Sequence, residues 1–139
     1  MSLYIIIYQT NFPIGEFELD KEMILDKQPC WRDKRPLLEG NKILLPYYLD
    51  MDEFIGSPHA RIKPLSANSI EYTSLFSEPA YLSYESEKTN QRIFLDLEKD
   101  RAREVRVESE PRIGPIGNFY LSFSLERQMD KFWDKLKFK

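Results

Sequence analysis

At 139 residues the chain is near the commonest domain size, and halving it would leave pieces too small to bury a core. Its 42% hydrophobic and 31% charged residues exclude intrinsic disorder, and a net charge of −3 excludes an overall field that gathers phosphates or anionic lipid. A lone cysteine, Cys30, excludes an internal disulfide framework, so a single cytoplasmic domain spanning residues 1–139 is expected.

The run Tyr4-Ile5-Ile6-Ile7-Tyr8 lacks the basic flank and length of a signal segment, falls far short of a membrane span, and reads as a buried strand. Asn11 to Gly15 punctuates, and Glu16-Phe17-Glu18-Leu19-Asp20 alternates as a second strand. Across Lys21 to Gly40, Glu22-Met23-Ile24-Leu25 has the composition of a short helix start, but Pro29 and Pro36 bracket Cys30 to Arg35 and deny it length, so a structured loop is expected. Ile43-Leu44-Leu45 is strand-like, and Gly56 to Pro64 is irregular. Ile70 to Phe76 and Ala80 to Tyr84 are further strands. Ile93–Leu97 and Glu104–Glu108 flank a polar connection and predict a hairpin with a longer loop.

The clearest element comes last. Leu125, Met129, Phe132, Trp133 and Leu136 share one face of an α-helix, with Ser124 placed as N-cap, Glu126 in the first turn and Lys135, Lys137 and Lys139 at the C-terminal end. Such a helix needs a sheet to cover. The expected fold class is therefore α+β: a mostly antiparallel sheet with one C-terminal amphipathic helix packed on one face.

Three stretches bear on chemistry. Asp50, Asp52 and Glu53 resemble in spacing the carboxylates that hold a divalent cation, but a solvated turn or helix start accounts for them better, and no metal or cofactor is expected. Ser57-Pro58-His59 sets a hydroxyl beside the single histidine, which reads as a surface-loop residue because triad members converge from separate places. Cys30 sits near Arg32, Lys34 and Arg35, charges that would lower a thiol pKa, although a lone cysteine is more often buried.

Arg101, Arg103, Arg106 and Arg112 suggest a single-stranded nucleic-acid face, but acidic residues interleave them one for one from Arg92 to Arg112 and cancel the field. Arg127, Lys131, Lys135 and Lys139 recur every four residues as a basic stripe on the helix. Phosphate loops, zinc-binding patterns and nucleophile elbows are absent from the sequence.

A non-catalytic role in protein–protein interaction ranks first, in concrete form an inhibitor, toxin-neutralising or phage accessory protein with a basic partner. Its expected surface is Trp31, Arg32, Arg35, Tyr47, Tyr48 and Phe54, residue types favoured at interface hot spots and set off by prolines. Eight tyrosines, nine phenylalanines and two tryptophans supply more ring area than a core of this size readily absorbs. A small metal-dependent enzyme using Asp50, Asp52 and Glu53 ranks second, and nucleic-acid binding through the Arg101–Arg112 region third.

Overall fold

The computed structural model describes residues 2–29, 34–46, 54–78, 80–86, 88–89 and 91–137. Among them the chain forms twelve strands: β1 (Tyr4–Gln9), β2 (Phe12–Glu18), β3 (Met23–Lys27), β4 (Leu37–Glu39), β5 (Lys42–Leu45), β6 (Ala60–Ser66), β7 (Ser69–Ser74), β8 (Ala80–Glu85), β9 (Arg92–Leu97), β10 (Ala102–Arg106), β11 (Arg112–Ile116) and β12 (Phe119–Ser124). One helix, α1 (Met129–Lys137), follows.

The strands form two six-stranded sheets, in the orders β2-β1-β12-β11-β8-β9 and β10-β7-β6-β3-β5-β4. Pairing is antiparallel throughout except for β3 with β5, which run parallel. The two sheets cover each other. Period-two alternation turns Ile5, Ile7, Leu82, Ile113, Phe119, Leu121 and Phe123 of the first sheet into a common core with Leu25, Ile43, Ile62, Ile70, Tyr72 and Val105 of the second.

This β-sandwich keeps the expected mostly antiparallel pairing and the single C-terminal helix, and corrects the helix's place on a sheet face. Sheets whose apolar faces already bury one another leave no bare face for a helix, and α1 packs at an edge instead. It docks on β2, where the Glu16 carboxylate accepts from the main-chain N–H of Gln128 at 2.6 Å and Met129 at 3.0 Å, and Trp133 Nε1 donates to the Pro13 carbonyl at 3.1 Å. Glu16 thus satisfies the helix N-terminus. Ser124, the expected cap, lies upstream, its hydroxyl accepting from the Glu126 N–H at 3.1 Å.

Trp133 remains 37% exposed, stacked 5.9 Å from Phe12 and edge-on to Phe132. Replacing it by Ala is accordingly expected to cost about 1–2 kcal/mol in chemical denaturation, below the 3–5 typical of a fully buried Trp. A loss above 3 would mean that α1 is integral to the core.

Two further expectations fail. The stretch expected as a structured loop contains two strands, β3 and β4, the first because Met23–Lys27 fills the slot between β5 and β6. The predicted hairpin of Ile93–Leu97 with Glu104–Glu108 does not form: β9 pairs with β8 in one sheet and β10 with β7 in the other, so the polar connection crosses between sheets.

Candidate functional site

The register of the second sheet gathers three connections at one end of the sandwich. Lys27 at the end of β3 is level with Leu45 at the end of the parallel β5, while the start of β6 pairs with both Leu25 and the end of β7, Ala60 opposite Ser74. The segments that leave β3, leave β5 to enter β6, and leave β7 therefore all emerge there. Loops carried together by a rigid sandwich are where binding residues concentrate.

Asp26 organises this end. Its Oδ1 accepts from the Ser57 hydroxyl at 2.5 Å and from the Lys27 N–H at 2.8 Å, and its Oδ2 lies 3.9 Å from Lys42 Nζ. Buried Gln28 donates its amide nitrogen to the Arg35 carbonyl at 3.0 Å and its main-chain N–H to the Leu45 carbonyl at 3.0 Å. The segment after β3 is thereby tied to β5 at its root. Asp26, Lys27, Gln28, Glu39, Lys42 and Ser57 line an open cleft of about 460 Å³.

His59, at the entry to β6, is only 2% exposed, a correction to its expected place on a surface loop. The cause is non-local. Its N–H donates to the Leu25 carbonyl at 2.7 Å, its carbonyl accepts from Leu75 N–H at 2.9 Å, and its ring lies 4.9 Å from that of Phe76. Nδ1 accepts the Gly56 N–H at 2.9 Å, which fixes the neutral ring with its proton on Nε2. Burial pushes the imidazole down to about 4.

Glycine is required at position 56, since a Cβ there would come within 2.8 Å of the Phe76 ring. Ser57 and His59, neighbours in sequence, therefore engage different partners: the hydroxyl serves Asp26 and the imidazole holds the loop. His59 is a positioning residue at this end.

Of the six residues of the expected contact surface, Arg35 and Phe54 are described, and both are exposed on the segments that reach this end. Trp31, Arg32, Tyr47 and Tyr48 lie outside the described residues, as do Cys30, Asp50, Asp52 and Glu53. Among the described residues no three His, Cys, Asp or Glu side chains gather as a metal site.

The arginine series is not one face. Arg101 pairs with Glu98 at 3.3 Å, Arg103 and Arg106 ride on β10, and Arg112 lies over the Tyr120 ring in the opposite sheet. The basic stripe on the helix is likewise broken, because Arg127 precedes α1 and pairs with Glu16 at 3.7 Å, and Lys131 pairs with Glu126 at 2.9 Å. No helix among the described residues is long and apolar enough to cross a membrane.

Two facing sheets with connections gathered at one end define a β-sandwich. The fold is similar to the crystal structure of the FHA domain of the CT664 protein from Chlamydia trachomatis, with a TM-score of 0.51 over 92% of this chain and 100% of that one, at 15% identity. No family model and no curated protein matches the sequence.

Proposed function

We propose that this chain is a non-catalytic protein-interaction module that takes an extended segment of a partner protein across the loop end. The observation that carries the proposal is the convergence, on an FHA-type sandwich, of the three connections around Asp26, Ser57 and His59. FHA domains are phosphopeptide-binding interaction modules, so a phosphorylated segment is the first ligand to try. The charges brought here by sequence are mixed: five basic and three acidic residues from Asp26 to Lys42, then Asp50, Asp52 and Glu53. A net charge of −3 favours a basic partner, and blocking a basic enzyme or toxin is the finer form of this role.

Trp31, Arg32, Tyr47 and Tyr48 are proposed as contact residues together with exposed Arg35 and Phe54, the rings giving wide contact at low entropic cost. A degenerate peptide array, in phosphothreonine and unmodified versions, probed with the full chain tests this. Retention of a subset is expected, with Trp31→Ala and Tyr48→Ala each weakening it by about 2 kcal/mol while leaving the melting temperature nearly unchanged. Loss of retention in the unmodified set alone identifies a phosphate requirement. Retention of nothing in either set, or unfolding of both variants, would count against the proposal.

A further inference from the structure

A β-sandwich has four sheet edges, and exposed edges invite pairing unless something blunts them. Three are blunted here. β2 carries Pro13, a register shift opposite Ile7 and Tyr8, and the docked helix; β4 is three residues long; β10 carries three charged residues in five, Arg103, Glu104 and Arg106, the last two on its exposed face. The fourth, β9, is a regular six-residue strand, Arg92-Ile93-Phe94-Leu95-Asp96-Leu97, paired to β8 along its whole length. At its centre Phe94 is 68% exposed, the most exposed large apolar side chain described.

We infer that β9 is a self-association edge, pairing antiparallel with β9 of a second copy about a two-fold axis through Phe94. Three observations select that occupant and that register. The first is main-chain polarity. Ser86 N–H donates to the Gln91 carbonyl at 2.9 Å, and alternation along an antiparallel ladder then directs the N–H and C=O groups of Arg92, Phe94 and Asp96 away from β8, toward the open edge. A symmetric ladder must therefore match these three residues with one another.

The second is charge. Centred on Phe94, the strand is complementary to itself: Arg92 faces Asp96 of the second copy, Asp96 faces its Arg92, and the two phenylalanines meet between them. Displacing the ladder by one pair toward Gln91 loses both charge matches, and displacing it the other way trades Asp96 for Glu98, which lies beyond the strand and already pairs with Arg101 at 3.3 Å. Arg92 Nη2 leans back to the Ser83 carbonyl and hydroxyl at 3.3 Å and to the Glu110 carbonyl at 2.9 Å, which leaves its Nε and Nη1 to serve the pair.

The third is apolar fit. Between the β9 and β10 edges the sandwich gapes into a cleft of about 500 Å³, whose lining includes Leu82, Ile93, Leu95 and Val105. Alternation aims Ile93 and Leu95 of an added β9 at the mouth of that cleft, opposite Leu95 and Ile93 of the first copy. The result is one continuous sheet running through both copies, formed independently of the loop end.

Sedimentation equilibrium of the full chain tests the inference. The mass is expected to rise with concentration from 16.6 kDa toward twice that value. Phe94→Lys, at an exposed position, and the charge reversals Arg92→Asp and Asp96→Arg should each weaken association about tenfold or more, with folding checked by circular dichroism. Mixing the two charge-reversed chains should restore it, because each Asp of one then faces an Arg of the other. A wild-type mass that stays monomeric up to about 1 mM, a dimer unaffected by Phe94→Lys, or a charge-reversed mixture that remains monomeric would overturn the inference.

Discussion

Acidification from near pH 7 to near pH 5 is expected to cost the wild-type protein about 2 kcal/mol of stability through His59 alone, rising to about 3 kcal/mol once its folded-state titration is complete. The imidazole titrates near 6.5 when unfolded and near 4 when buried beside Phe76, so between those values the unfolded chain binds more protons than the folded one. Stability must then rise with pH through that window and level off above it. The buried Nδ1 has one partner, the Gly56 N–H, and protonation would set two donors against each other.

Carboxylates titrate in the same range, and a comparison isolates the histidine. His59→Asn keeps an acceptor for Gly56 but cannot take the proton, so its denaturation free energy should be flatter by about the same 2 kcal/mol between the two pH values. Parallel curves for the two proteins would mean that His59 is open to water.

Leu121→Ala is expected to destabilise the protein by about 3–4 kcal/mol, close to the limit of what a marginally stable domain tolerates. Leu121 is fully buried at the middle of the first sheet, opposite Ile7 on one side and Ile113 on the other. Its side chain points into the space shared with the second sheet, where regular strands on both sides resist collapse into a void. Tyr120, one residue earlier, points to the outer face and stacks on Tyr8 at 4.9 Å. Tyr120→Ala should therefore cost distinctly less. Equal losses at the two positions in guanidinium denaturation would contradict the assignment of inner and outer faces.

How far the sequence disclosed this structure depends on where each segment's partners lie. Tyr4–Tyr8, Ile43–Leu45, Ile70–Phe76 and Ala80–Tyr84 carry their strand character in β-branched and aromatic residues, and all four hold strands, the third ending at Ser74 before Leu75 and Phe76. Met23–Leu25 offers three apolar residues and no period, so only its place between β5 and β6 decides it. Pro64 argues against a strand, yet β6 contains it without loss. β3 pairs with β6 only at Ala60, Arg61 and Ile62, and the missing N–H falls beyond that ladder.

Phe119-Tyr120-Leu121-Ser122-Phe123-Ser124 does alternate legibly, and this was the available signal for a second sheet that the terminal helix pattern overshadowed. The helix itself is real but shorter. Its apolar face meets the edge of β2, a contact set by Pro13 and Glu16 more than a hundred residues away.

The loop end was half legible. Prolines and aromatic residues marked the segments around Arg35 and Phe54, which the sheet register brings to one place. Asp26 and Gln28 gave no local sign, because their roles depend on Ser57, Arg35 and Leu45 across the fold. His59 was noticed for its chemistry and placed on the surface. Its burial follows from the strand ends that close over it.

Partner recognition, proposed at the loop end, is measured most directly by an amide chemical-shift titration of the isotopically labelled full chain with a peptide retained on the array. The shifts are expected to cluster at Lys27, Gln28, Gly56, Ser57, His59, Phe76 and Ser77, while those of α1 and β9 stay in place. Saturable shifts confined to α1, to β9 or to the outer face around Tyr8 and Tyr120 would place recognition elsewhere and contradict the proposal.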